Sequence, residues 1–264
     1  MNSESLSDRQ DMILALLRQQ GEVVVDDLAS RLQTTPQTIR KDLRALARHG
    51  YATRFHGGAT LRPGQVYLDY DTRARVAAGA KQMIGVAAAR MLPRGATVFL
   101  NAGTTTEAVA RALTGNHRLS VITDSVHIAD ILRKLPEVSV IIAGGAVRGA
   151  DGAVVGAAAV SFLEQFRVDY ALIGAAAITA DGDLMDYDLD EVMVARTMIR
   201  NARDAFLLAD GSKFGVNAPV RVAHLSDTTA LITDRCESAA IRELCETHGV
   251  DLQELSSPSG ANPG

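Results

Sequence analysis

Four short segments carry side chains able to hold an anion. In Asn101-Ala102-Gly103-Thr104-Thr105-Thr106 a glycine lets the backbone come close to a ligand, and three hydroxyls stand where a helix opens towards Glu107–Leu113. Free N–H groups at a helix start, together with hydroxyls, make an anion cradle. No Gly-Lys-Ser/Thr follows, so a nucleotide is not expected. Asp124-Ser125, Gly144-Gly145 and Asp210-Gly211-Ser212-Lys213-Phe214-Gly215 have the same small, hydroxylated or charged character. Lys213 is the cation a phosphate monoester needs, and Asp124 an acceptor for ligand hydroxyls. Each fragment alone also reads as a helix cap or, for Lys213, a solvated loop lysine.

A second chemistry lies near the N-terminus, in Thr35-Pro36-Gln37-Thr38-Ile39-Arg40-Lys41-Asp42-Leu43-Arg44-Ala45-Leu46-Ala47-Arg48. At helical period Ile39, Leu43 and Leu46 share one face, while Arg40, Arg44 and Arg48 form a row on another with Lys41 beside it. Thr35 suits the N-cap, Pro36 the first turn and Gly50 the stop, which predicts a helix of about 13 residues. Short hydrogen-bonders at its tip (Thr35, Gln37, Thr38) suit base edges, and the cations along its flank suit phosphates. Taken alone, it is equally an ordinary amphipathic surface helix.

The surrounding elements favour the first reading. Met12, Ile13, Leu16 and Leu17 predict a helix opened by Ser7 or Asp8; Val23-Val24-Val25 is a short extended run; and Leu28, Ala29 and Leu32 give a second helix, N-capped by Asp26. Helix, short helix, three-residue turn and basic helix within 50 residues is a helix-turn-helix layout. Tyr51 to Leu61 places β-formers on both sides of Gly57-Gly58, a wing that carries Arg54 and His56 near its tip. Arg62-Pro63-Gly64-Gln65 reads as a linker, and Asp71 to Leu92 as a connector helix. Beyond Pro93 come continuous apolar runs at Thr97–Leu100, Leu119–Thr123, Val138–Ala143, Tyr170–Ile173, Ala205–Ala209, Ala230–Thr233 and Val250–Leu252. Continuous apolarity means strands covered on both faces, hence an α/β domain with a mainly parallel sheet, whose ligand belongs at the strand carboxyl ends. The expected organisation is a winged helix-turn-helix over 1–62, a connector over 63–80, an effector-sensing α/β domain over 81–255 and a disordered tail over 256–264.

Composition narrows the classes further. The 264 residues carry net charge −4, but residues 1–62 hold nine Lys/Arg against seven Asp/Glu while 63–264 hold 18 against 24. The basic groups gather where the basic helix lies. No apolar stretch reaches a membrane span of roughly 18 residues, and a cytoplasmic protein is expected. Cys236 and Cys245 form neither a CxxC nor a disulfide framework, the histidines at 49, 56, 117, 127, 224 and 248 lack ligand spacing, and no metal or cofactor is expected. The acidic run Asp181–Glu191 departs from a calcium loop and reads as a solvated loop able to close over a ligand, with Glu191 counted in the effector set.

Thr35-Pro36-Gln37-Thr38-Ile39-Arg40-Lys41-Asp42-Leu43 followed by Phe55-His56-Gly57-Gly58-Ala59 resembles the signature of the DeoR family of bacterial transcriptional repressors. Gly103-Thr104-Thr105, Ala143-Gly144-Gly145 and Ser212-Lys213-Phe214-Gly215 resemble its sensor domain, over about residues 7–254 in all. The resemblance implies a winged helix-turn-helix followed by a sugar-phosphate sensor of the ribose-phosphate isomerase fold. Segments 151–156, 162–169 and 183–192 are most similar to the branch governing glycerol-3-phosphate regulons. Departures from the family pattern fall at Asp124, Ala175-Ala176-Ala177 and Ala195.

The reading is a homodimeric or homotetrameric repressor that leaves operator DNA when a phosphorylated sugar or polyol binds, glycerol-3-phosphate first among them. DNA contacts are expected from Thr35, Gln37, Thr38, Arg40, Lys41, Arg44, Arg54 and His56, and effector contacts from Asn101, Gly103, Thr104, Thr105, Asp124, Ser125, Gly144, Gly145, Glu191 and Lys213. A sugar-phosphate isomerase or deaminase with Asp124 or Glu191 as base is the rival, but it leaves residues 1–62 without a purpose. Nonspecific nucleoid-type binding is the third reading.

Overall fold

The computed structural model describes residues 6–20, 22–48, 51–55, 57–61, 70–113 and 118–255. The chain divides into two compact units, Met1–Val76 and Ala77–Gly264. His56, the Arg62–Gln65 linker and the 256–264 tail lie outside the described residues.

The first unit runs α1 (Asp8–Gln20), β1 (Glu22–Val24), α2 (Val25–Arg31), α3 (Pro36–Arg48), β2 (Ala52–Phe55), β3 (Gly58–Leu61) and α4 (Tyr70–Arg75). Ile13, Leu14 and Leu17 of α1, Leu28 of α2 and Ile39, Leu43 and Leu46 of α3 close on one another as a buried core. The extended Val23 run is the third strand of the wing: β1 pairs β3, which pairs β2, all antiparallel. Gly57 supplies the positive φ of 96° that the hairpin turn needs. Asp26 is not the α2 cap. Val24 holds that position without a side-chain bond, and Asp26 and Asp27 sit in the first turn, where their charges favour the helix dipole.

In the second unit the order is α5 (Ala78–Met91), β4 (Thr97–Leu100), α6 (Thr104–Ala112), β5 (Ser120–Thr123), α7 (Val126–Leu132), β6 (Ser139–Ile142), β7 (Ala146–Val147), β8 (Val154–Val155), α8 (Ala157–Leu163) and β9 (Val168–Gly174). It continues through β10 (Ala177–Ile178), β11 (Asp183–Asp186), α9 (Leu189–Arg200), β12 (Ala202–Leu208), β13 (Val220–His224), β14 (Ala230–Thr233), α10 (Ala239–His248) and β15 (Asp251–Glu254). Seven strands form one sheet in the order β15-β14-β12-β9-β4-β5-β6, every pairing parallel. Alternate residues feed two cores. Val98, Leu100, Val121, Leu172 and Leu208 meet α5, α6 and α7, while Phe99, Ile122, Ile173 and Leu207 meet α8, α9 and α10.

Two further expectations need correction. The single helix over 71–92 is two, α4 and α5, because Ala77 between them adopts a left-handed conformation (φ 53°, ψ 33°) that a continuous helix cannot contain. The acidic run at 181–191 is not a loop. Asp183–Asp186 is β11, the centre of a second sheet ordered β10-β11-β13, and Asp188 caps α9 by accepting a hydrogen bond from the Glu191 N–H. The run escapes recognition because two of the four β11 residues are aspartates; the strand pairs the preceding β10 at Ile178↔Leu184 and, on its other side, the distant β13 at Asp183↔His224.

The helices α5 and α6 meet at Gly85, where a Cβ would stand 2.5 Å from the Ala108 carbonyl carbon. We expect Gly85→Ala to lower unfolding free energy by about 1–3 kcal/mol, the usual cost of overpacking. Gly79→Ala, on the same helix with nothing within 4 Å, should raise it by about 0.5–1 kcal/mol. Urea titrations of both full-length variants check the contrast.

Candidate functional site

The reading helix α3 begins as its sequence requires. The Thr35 hydroxyl accepts from the Thr38 N–H at 3.2 Å and meets the Thr38 hydroxyl at 2.9 Å. Gln37, Arg40, Lys41, Arg44 and Arg48 are exposed on the side away from the core. Lys41, Arg44, Ala47 and Arg48 of α3 and Arg54 of β2 line one open cleft of about 440 Å³. Arg40 is outside it. A residue the sequence reading passed over fixes the helix from behind. Asp42 is buried, with Arg9 of α1 donating to it at 2.6 Å and Gln10 at 3.1 Å.

In the second unit the parallel sheet sets the geometry, because all its strands end on the same edge. Asn101 follows β4, Asp124 follows β5, Gly144 and Gly145 follow β6, and Asp210 to Lys213 follow β12. The start of α6 is open: Gly103 is its N-cap, no side chain caps it, and its first repeating bond is Glu107 N–H to the Gly103 carbonyl at 2.9 Å. The Thr104, Thr105 and Thr106 N–H groups precede that bond. Thr106 turns its hydroxyl back to the Gly103 carbonyl at 2.8 Å, while Gly103 and Thr104 are partly exposed.

Asp124 has no exposed surface. Its carboxylate accepts from the Ala102 N–H at 2.6 Å and from the Asn101 amide at 3.0 Å, and so holds the turn that leads into α6. The expectation of an open acceptor for ligand hydroxyls thus meets a group engaged with the cradle from below. Burial, then the nearby Glu191 charge, pushes its pKa up to about 7, against the pull of those hydrogen bonds. Ser125 is likewise buried, and its hydroxyl caps α7 by accepting from the Ile128 N–H. Gly144 and Gly145 are exposed between β6 and β7. Lys213 closes a 3-10 turn, Gly211–Lys213, started by Asp210, whose carboxylate accepts from the Ser212 N–H.

Sequence reasoning missed Arg148, the cation that holds Glu191. The β7–β8 hairpin docks beside Asp124 through Val154 N–H to the Asp124 carbonyl and Val126 N–H to the Gly152 carbonyl. From that hairpin Arg148 reaches Asp151 at 2.7 Å, Glu191 at 2.6 Å and Asp188 at 3.1 Å. Glu191, expected among the effector contacts, is therefore buried against a guanidinium. No spacing signals this cluster, since Arg148 and Glu191 stand 43 residues apart. Ala195, one of the departures from the family pattern, lies in the core that packs α9 on the sheet.

Residues 9–63 match the model of the DeoR-like helix-turn-helix domain, and residues 76–235 that of the DeoR C-terminal sensor domain. The chain belongs to the DeoR family. It is 35% identical over 247 residues to the glycerol-3-phosphate regulon repressor of Escherichia coli, covering 94% of this chain and 98% of that one. The Haemophilus influenzae protein of the same name is 39% identical over 238 residues, covering 90% and 93%. The repressor CsqR of E. coli is 36% identical over 244 residues, covering 92% and 94%. Ribose 5-phosphate isomerase A of Methanocaldococcus jannaschii overlaps 51% of this chain and 53% of its own at 18% identity and a TM-score of 0.38, too slight a likeness to carry weight. This DeoR-family member is a transcriptional repressor that pairs a DNA-binding helix-turn-helix with a sensor domain, not an enzyme. None of its described helices is long and apolar enough to cross a membrane.

The Asp124 proton gives a test. A carboxyl whose folded pKa is raised adds stability at low pH, and that contribution is lost as pH rises from the unfolded value near 4 through about 7. Asp124→Asn keeps an acceptor for Ala102, and the Asn101 amide can turn its oxygen to face it. The variant should unfold with a flatter pH dependence between pH 4 and 8, and be more stable than the parent at pH 8 by roughly 2–4 kcal/mol. Urea melts across that range decide it; a parallel pH dependence in the two proteins would count against a shifted Asp124.

Proposed function

We propose that the protein represses a carbohydrate or polyol catabolic operon and leaves its operator when a phosphorylated metabolite binds the sensor domain, glycerol-3-phosphate being the first candidate. The observation that carries the reading is the start of α6, uncapped and partly exposed at Gly103 and Thr104 with Thr105 buried behind them, on the one edge where the strands of a parallel sheet end. A helix start with free N–H groups draws a phosphate. Asn101, Gly103, Thr104 and Thr105 supply the cradle and Lys213 a cation. Asp124 and Ser125 brace it from beneath, Gly144 leaves room for a ligand while Gly145 lets the backbone pack against Val154 and Val155, and Glu191 with Arg148 faces its hydroxylated end. The relatives of E. coli and H. influenzae named for glycerol-3-phosphate regulons support that effector. Other sugar or polyol phosphates remain within the chemistry of the site.

On DNA, Thr35, Gln37, Thr38 and Arg40 at the front of α3 meet base edges, and Lys41, Arg44, Arg54 and His56 serve the backbone. Reading of repeated half-sites calls for a homodimer or homotetramer. The domain division follows the same plan: residues 1–62 bind DNA, 63–80 connect and 81–255 sense.

The test is a titration of protein bound to an operator fragment selected from a random-sequence pool. Glycerol-3-phosphate should weaken binding by about 5–150-fold, the range of a 1–3 kcal/mol coupling. Release by a different sugar phosphate alone would move the effector assignment, and no response to any of them would end it.

A further inference from the structure

We propose that the cleft between α3 and the wing is a clamp for a single DNA backbone phosphate, gripped jointly by Lys41, Arg44, Arg48 and Arg54. The proposal rests on the DNA-binding reading and assigns it a division of labour. Four cations from two elements line this one space together with Ala47, and among the described residues none that lines it is acidic. Among the described residues none of the four enters an ion pair, although Arg9 on the same unit is paired with Asp42. Like charges held in one concavity repel one another, so the cleft is a place where an anion relieves strain already present.

The occupant follows from chemistry and from size. A volume of about 440 Å³ suits a phosphodiester with the sugars on either side, and its openness to solvent suits a ligand that belongs to a polymer. Guanidinium groups match phosphate oxygens in pairs, and three of the four cations are arginines. Arg40, one turn before Arg44 on α3, lies outside the cleft and is left free for the groove. Because Arg54 stands on β2 and the other three on α3, a bound phosphate would bridge the helix and the wing.

This differs in a measurable way from four cations lying along four phosphates. The salt dependence of binding counts phosphates neutralised, at about 0.9 in the slope of log K against log salt for each, and does not count the cations that neutralise them. Replacing all four residues should therefore lower the magnitude of the slope by about 0.9 per bound subunit, against roughly 3.6 if each met its own phosphate. Loss of either side should also open the clamp. Arg44→Gln and Arg54→Gln should each weaken binding by about fivefold, and the double variant should be little worse than either single one.

The experiment uses the full-length chain and a random-sequence 20-base-pair duplex, since a backbone clamp needs no operator, with fluorescence anisotropy read from 50 to 200 mM KCl. The thermal unfolding of each variant is followed alongside; all four side chains are exposed, and the melts should match the parent. A slope reduced by about 0.9 with non-additive glutamine variants supports the clamp. A slope reduced about fourfold as much, an unchanged slope, or additive losses overturns it while DNA binding itself stands. A parent chain without affinity for any duplex removes the DNA reading and the clamp together.

Discussion

A parallel strand can follow another only after the chain has crossed back over the sheet, and that constraint organises the second unit. Most crossings lay a helix on one face or the other, so the inner strands of the seven-stranded sheet are buried on both faces, while β12 reaches β14 through β13 and the edge strand β6 stays largely exposed; every strand ends on the same edge. The turns at that edge are where Asn101, Asp124, Gly144 and Asp210 come to lie. No residue needs a long-range signal in the sequence to reach the site; the topology delivers it. The same constraint explains why burial and charge meet there, since a carboxylate such as Asp124 at the end of a covered strand has little water to solvate it.

What could be read from the residues follows from how local each signal is. The strands were legible because burial on both faces turns them into unbroken apolar runs, and five-residue runs such as Ala205–Ala209 identify themselves. The helix-turn-helix was legible for the same reason: Ile39, Leu43 and Leu46 repeat at helical period, and Thr35 caps the start. Features made by distant pairs were not. β11 hides because two of its four residues are aspartates and one of its two partners, β13, lies far along the chain, and only the alternation of inward Leu184 and Asp186 with outward Asp183 and Met185 betrays it. The break at Ala77 carries neither glycine nor proline. Arg148 looks like any loop arginine until the hairpin that bears it is folded against Asp124.

The two units solve one problem by different means, that of keeping charge where it is needed. In the first, the single acid of α3, Asp42, turns inward to Arg9 and Gln10, so the exposed side of that helix keeps only cations and neutral hydrogen-bonders. A carboxylate facing outward would repel DNA, and one buried without partners would be costly. In the second, Arg148 is enclosed by three carboxylates, Asp151, Asp188 and Glu191, which link the hairpin to the start of α9. Removal of the guanidinium would leave like charges facing one another at close range, so the cluster binds two elements that share no strand pairing.

The buried Asp124 also makes the sensor domain a proton store. With a pKa of about 7, the carboxyl is divided between its two forms at neutral pH. A phosphate seated at the start of α6, as proposed, would place a dianion near a group that already holds its charge with difficulty, and would draw a proton onto it from solvent. Ligand uptake would then change the protonation of the surrounding buffer, and the heat measured for binding would vary with the ionisation enthalpy of the buffer chosen. The net number of protons exchanged, once the ligand phosphate's own ionisation at a pKa of about 6 is subtracted, would report on the interior of the sensor without any probe attached to it.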